Sequence, residues 1–157
     1  MGTNFYLRRR LSIQDQRNLL EDIRYGNYDS ADRLISFKVH IGKRSAGWKF
    51  LWDANNFEYF NPTKESIFDF LKSGRIFDEY GREFTFEEFI NDEVGESLNT
   101  GYDLETYEKS NPSMNRSYYF YRREELERFR EKYDQDVNEF GEFYIDDLRF
   151  TTSSEFS

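Results

Sequence analysis

The sequence predicts an α+β single domain, a small mostly antiparallel sheet with three or four helices packed on it. Apolar residues alternate with a period of two in stretches that pair into hairpins across short polar turns. Other stretches carry helical spacing behind a capping residue, and the two kinds interleave without the regular βαβ alternation of a parallel sheet. The length, 157 residues, is that of one domain.

Residues 3–8 alternate with Phe5 and Leu7 on one side, which predicts a first strand. Ser12 stands as an N-cap before Ile13, Leu19, Leu20 and Ile23, whose spacing predicts a helix ending near Gly26. A further helical turn begins at Asp29 or Ser30. Leu34, Ile35, Phe37, Val39 and Ile41, then Trp48, Phe50 and Trp52, predict a hairpin whose loop is 42–47. Pro62 and Thr63 open the next helix, with Ile67, Phe68, Phe70 and Leu71 buried and Gly74 as its stop.

A second hairpin turns through Asp78-Glu79-Tyr80-Gly81, and Thr85 with Glu88 forms a capping-box spacing ahead of Phe86, Phe89, Ile90 and Val94. Residues 95–117 are polar and aperiodic and predict a long loop. The aromatic run 118–121 reads as strand-like and leads into a helix whose apolar positions Leu126, Phe129, Tyr133, Val137 and Phe140 step by 3, 4, 4 and 3, closed by Gly141. Phe143, Ile145, Leu148 and Phe150 predict a last strand, within an ordered core of 1–150 and ahead of a polar tail, 151–157.

Seventeen Phe, 12 Tyr and 2 Trp in a chain that is 37% hydrophobic predict an aromatic core. Without cysteine, disulfides and thiolate metal sites are excluded. No apolar stretch approaches the roughly 20 residues that span a bilayer, and the expected setting is soluble and cytoplasmic. The net charge of −9 divides into +4 over residues 1–77 and −13 over residues 78–157. Such an acidic half repels phosphate backbones, so nucleic acid is disfavoured as a partner and a protein with a basic surface is favoured.

The segment His-Ile-Gly-Lys-Arg-Ser-Ala-Gly-Trp-Lys-Phe, residues 40–50, carries the candidate binding residues His40, Lys43, Arg44, Ser45 and Trp48. Glycines flanking two cations and a hydroxyl suit an anion-binding nest of backbone N–H groups. The same residues also suit a plain hairpin loop in which Trp48 fills the core and His40 bonds a backbone carbonyl, or a contact for a protein partner. It is not a Walker A loop, because position 37 is Phe and Arg44 follows Lys43. No catalytic signature is present: with one histidine, a base would be His40 or a carboxylate such as Asp53, Glu79 or Glu83. Asp134, Asp136, Asn138 and Glu142 match a calcium loop only superficially, with Phe140 interrupting and Gly141 one place late. No metal and no cofactor is implied.

Met-Gly-Thr-Asn-Phe-Tyr-Leu at the start, residues 40–50, Asp78-Glu79-Tyr80-Gly81 with Phe86-Glu87-Glu88-Phe89, and Glu155-Phe156-Ser157 together resemble a family of small, mostly uncharacterised bacteriophage proteins. Its members begin Met-Gly-Thr-Asn-Tyr-Tyr and carry His-Ile-Gly-Lys-Ser-Ser-x-Gly-Trp. Many place a Cys-x-x-Cys pair between these blocks; here a helical, charged insert, 11–36, stands there, and no metal role carries over. The resemblance implies a phage origin and the cytoplasm of an infected bacterium. The resulting expectation is an accessory protein that binds and modulates a host or counter-defence target without catalysis. The alternative is a nucleotide- or phosphate-binding protein or enzyme built on residues 40–48.

Overall fold

In a computed structural model that describes residues 2–36, 38–57, 62–112 and 120–153, β1 (Gly2–Arg9) lies near the middle of one seven-stranded sheet. It pairs antiparallel with β2 (Lys38–Ser45) on one side and β4 (Gly74–Asp78) on the other. β5 (Glu83–Phe84) closes the β4 edge, while β3 (Leu51–Asp53), β7 (Leu148–Thr151) and β6 (Glu142–Ile145) extend the sheet beyond β2. Every pairing is antiparallel except β3 with β7. The α+β class is as expected.

Alternation sends Phe5, Leu7, Ile41, Trp52, Ile76, Phe84, Phe143 and Phe150 to one face, where all are buried. Onto that face pack α3 (Lys64–Lys72) through Ile67 and Leu71, and α7 (Arg123–Tyr133) through Leu126 and Tyr133. A helical rod over 86–100, made of α4 (Phe86–Glu88), a π-helical middle (Phe89–Gly95) and α5 (Glu96–Thr100), adds Phe89 and Val94. The core is aromatic as predicted: Phe5 meets Phe50, Phe84 and Phe89 at centroid distances of 5.8, 5.6 and 5.3 Å. Phe143 stacks on Phe150 at 5.3 Å.

Several boundaries differ from expectation. Leu34 and Ile35 belong to α2 (Tyr28–Ser36), not to a strand. α3 ends at Lys72 with Ser73 as its cap, directly before Gly74 as expected, but Gly74 is also the first residue of β4, where a Cβ would meet Arg8 O at 2.6 Å and Leu7. The last helix stops at Tyr133, where Asp134 turns left-handed (φ 51°), so Val137 and Phe140 reach the core from a loop. The expected loop 95–117 is helical over Glu96–Thr100 and again in α6 (Leu104–Ser110), which Asp103 caps by accepting the Thr106 N–H at 2.8 Å. Residues 113–119 lie outside the described residues, as do 118 and 119 of the expected strand-like run. The final strand is a hairpin, β6 and β7, and Thr151 and Thr152 of the expected tail are buried. Residues 154–157 lie outside the described residues.

Helix α1 (Ile13–Arg24) has the Ser12 cap, with Asp15 completing a capping box. It buries no residue, and α2 buries only Ala31. The two helices pack on each other as a hairpin between β1 and β2, and Ile13, Leu20, Ile23, Tyr25, Tyr28 and Ile35 are exposed on it. No helix among the described residues is long and apolar enough to cross a membrane.

Candidate functional site

The first half of the segment 40–50 is strand. Residues 42–45 pair with β1, and Gly42 and Lys43 pair also with β3, so the backbone that an anion nest requires is spent on the ladder. The turn is confined to 46–49, where Gly47 takes φ 83° and Trp48 N–H bonds Ser45 O at 3.0 Å. Gly42 is needed for close approach: a Cβ there would strike the Leu51 carbonyl oxygen and the Phe50 ring.

The five candidate residues do not converge. Arg44 is held by Glu93 at 2.9 Å, the Asp92 carbonyl at 2.9 Å and Glu96 at 3.4 Å, all on the helical rod. Burial alone would lower the Arg44 pKa, but the two carboxylates outweigh it and raise it. Ser45 pairs with Gly2 at the strand end. Trp48 is half-buried and lies against Tyr107 (4.8 Å between centroids) with the Arg149 guanidinium 5.7 Å from its ring, outside the core that the hairpin-loop reading assigned to it. Lys43 and His40 share the sheet face opposite the core, Lys43 across from Asn4.

On that outer face His40 sits inside a polar chain rather than on a backbone carbonyl. Its Nδ1 is 2.9 Å from Asp53 Oδ2 and its Nε2 is 2.9 Å from Asn4 Oδ1. The Asp53 carboxylate also accepts the Asn55 N–H, Asn55 Nδ2 and Asn56 Nδ2, each at 3.0 Å, and Asn56 Nδ2 donates to His40 O at 2.7 Å. Asn55 continues the chain to the Tyr133 hydroxyl on α7 at 3.0 Å. A carboxylate orienting an imidazole is two thirds of a hydrolytic triad. The third place is filled by the Asn4 amide, which offers neither a nucleophile nor acid–base chemistry.

Strand register adds two rows that sequence reading missed. Lys38, Arg8 and Arg75 are direct cross-strand partners over β2, β1 and β4, and His40, Tyr6 and Phe77 form the next row. Cations lie on rings: Lys38 Nζ is 4.3 Å from the Tyr6 centroid, and the Arg8 and Arg75 guanidiniums are 4.7 and 5.2 Å from that of Phe77. Arg75 also forms a two-pronged pair with Glu83 at 2.9 and 2.8 Å, which raises the arginine pKa and lowers that of the carboxyl. The available signal was the outward alternation of Asn4, Tyr6 and Arg8 in β1; the register that aligns them with β4 is not written in one dimension.

The far end of the same face is closed by its own network. Arg149 and Glu142, 4% and 3% exposed, form a buried ion pair at 2.5 and 2.7 Å. Asp103 accepts the Tyr144 hydroxyl at 2.6 Å and faces Lys49 at 3.3 Å. Burial would raise the Asp103 pKa, but these donors and Thr106 hold it well below the carboxylate range; burial and the Asp103 bond push Tyr144 up. With Glu142 spent on Arg149 and Asn138 Oδ1 accepting the N–H groups of Phe140 and Glu142, the calcium pattern has no geometry behind it. Among the described residues no cluster of His, Asp and Glu is placed to hold a metal ion.

No family model matches the chain, and no curated protein or solved structure matches it significantly.

Proposed function

We propose that the chain is a phage-encoded accessory protein that binds a host or counter-defence protein in the bacterial cytoplasm, without catalysis, and that the α1–α2 hairpin is its contact element. One observation carries this reading: six of the nine large hydrophobic residues exposed among the described residues, Ile13, Leu20, Ile23, Tyr25, Tyr28 and Ile35, lie on this one hairpin. Helices normally bury their apolar side, and α1 buries nothing. Clustered apolar exposure marks an interaction surface. The hairpin is also the insert that stands where the resembled phage family carries its Cys-x-x-Cys pair. The acidic C-terminal half suits a partner with a basic surface. The alternative, nucleotide or phosphate binding by residues 40–48, has less support, since residues up to Ser45 are paired in the ladder and the turn is short.

The test compares wild type with Leu20→Glu/Ile23→Glu/Ile35→Glu as bait in lysate of infected host cells. All three side chains are exposed, so the variant is expected to melt as wild type does, since surface changes usually alter stability by less than about 0.5 kcal/mol each. A protein captured by wild type and lost from the variant is the expected result. A protein captured equally by both moves the contact off the hairpin, and self-association of wild type that the variant abolishes shows that a second copy covers the stripe.

A further inference from the structure

We propose that the outer face of β2, β1 and β4 binds single-stranded nucleic acid, its bases stacking on the ring row and its phosphates meeting the cation row. This does not rest on the α1–α2 reading, since it uses a different surface. The cation row carries a local conflict. Like charges placed directly across a strand pair destabilise a sheet, yet Lys38, Arg8 and Arg75 stand in one line over three adjacent strands. One carboxylate, Glu83, answers them directly, through Arg75. Asp53, on the outer face of β3, is bonded to His40, Asn55 and Asn56. A repulsive row retained on an exposed face fits an anionic ligand.

The second row says which anion. His40, Tyr6 and Phe77 are flat, neighbouring and in register, with Tyr6 and Phe77 half-exposed. The backbones of the two rows are two residues apart along each strand, about 7 Å, while the flexible cations fold back onto the rings at 4.3 to 5.2 Å, so a base that stacks on a ring takes the place of a cation and that cation turns to the phosphate. Inorganic phosphate or an acidic peptide would use the charges and leave the rings idle. Single strands use both, because every base has a stacking face and sheet-borne aromatics take two or three of them. A duplex hides its bases, and the charge of −13 on residues 78–157 opposes its long rigid polyanion. The acidic bulk and a basic, ring-lined face are thus compatible in one molecule.

The experiment is fluorescence anisotropy of a labelled short oligo(dT) with the full chain, between about 50 and 200 mM salt. Tyr6→Leu and Phe77→Leu are each expected to weaken binding roughly 5- to 100-fold. Arg8→Gln and Lys38→Gln are each expected to lower the slope of log affinity against log salt by about 0.7. Both cations are exposed, so the slope remains a test if a ring variant proves unstable. A duplex of equal length should compete poorly. Absence of binding at low salt overturns the proposal. So does binding that ignores both ring variants, or equal competition by heparin or an acidic peptide, since either would mean simple polyanion adsorption.

Discussion

Replacing Asp53 with alanine removes the acceptor of four contacts: His40 Nδ1 at 2.9 Å, the Asn55 N–H, and the side-chain amides of Asn55 and Asn56 at 3.0 Å. Hydrogen bonds to a charged group contribute about 1.5–3 kcal/mol each, but bonds sharing one acceptor are not additive. Asn55 keeps the Ser153 carbonyl at 3.2 Å and Asn56 keeps His40 O at 2.7 Å. The expected loss is therefore about 3–4 kcal/mol, with a fall in melting temperature of roughly 10 °C for a chain of this size. His40→Ala removes one of the four donors, the Asn4 contact and an edge contact with Tyr6 at 5.3 Å. Because the ring is 16% exposed, water replaces part of this, and about 1–2 kcal/mol is expected. Urea unfolding followed by tryptophan fluorescence measures both, since Trp52 is buried beside Asp53. If His40→Ala costs as much as Asp53→Ala, the carboxylate is not the hub of the chain and the structural reading of His40 fails.

Two further outcomes follow from burial and charge. Phe50→Ala, which empties a fully buried position, should cost about 3–5 kcal/mol, and Trp48→Ala, which uncovers Tyr107 at the half-buried turn, about 1–3 kcal/mol; equal urea midpoints for the two would place Trp48 in the core after all. Asp103 is held below its unfolded pKa of about 3.9, so its contribution is complete above about pH 4 and fades as pH falls through the lower folded value. Asp103→Asn should therefore be less stable at neutral pH and lose less between pH 4 and more acidic solution, and parallel acid limbs in urea titrations would contradict that.

Local signals in the chain were legible wherever one residue type answers one backbone need. Ser12, Thr63 and Thr85 cap helices as their spacing indicates, each with the N3 side chain bonding back. The β4–β5 turn follows Asp78, whose side chain accepts the N–H groups of Tyr80 and Arg82 at 2.9 Å, and Gly81 at φ 88°. Failures came where apolar content was ambiguous. Leu34 and Ile35 continue the apolar run of β2 in composition, but with Ile35 exposed and Leu34 half-buried they finish a helix that, among its own residues, buries only Ala31. Val137 and Phe140 keep helical spacing past Tyr133 because both are buried, not because the helix continues; the left-handed Asp134 redirects the chain ahead of them.

The candidate site was legible as a place and not as a mechanism. Gly42 reads as a loop glycine in one dimension, and in three it is a strand glycine beside the Leu51 carbonyl, which turns the expected nest into ladder. His40 and Asp53 were both candidate bases, but the pairing of His40 with Asp53 on one side and Asn4 on the other required strands β1, β2 and β3 to be aligned first. Besides the alternation in β1, the charge split between the two halves of the chain was a sequence signal for the cation row, and topology concentrates it. β1, β2 and β4 all come from residues 1–78 and are neighbours in the sheet, so the outward residues of the basic half meet on one face. Much of the acidic half, including the rod over 86–100 and α7, packs against the other face. The net charge of −9 is therefore the sum of a basic first half and an acidic second half, and such a sum governs solubility and long-range encounter while leaving contact chemistry to the local rows.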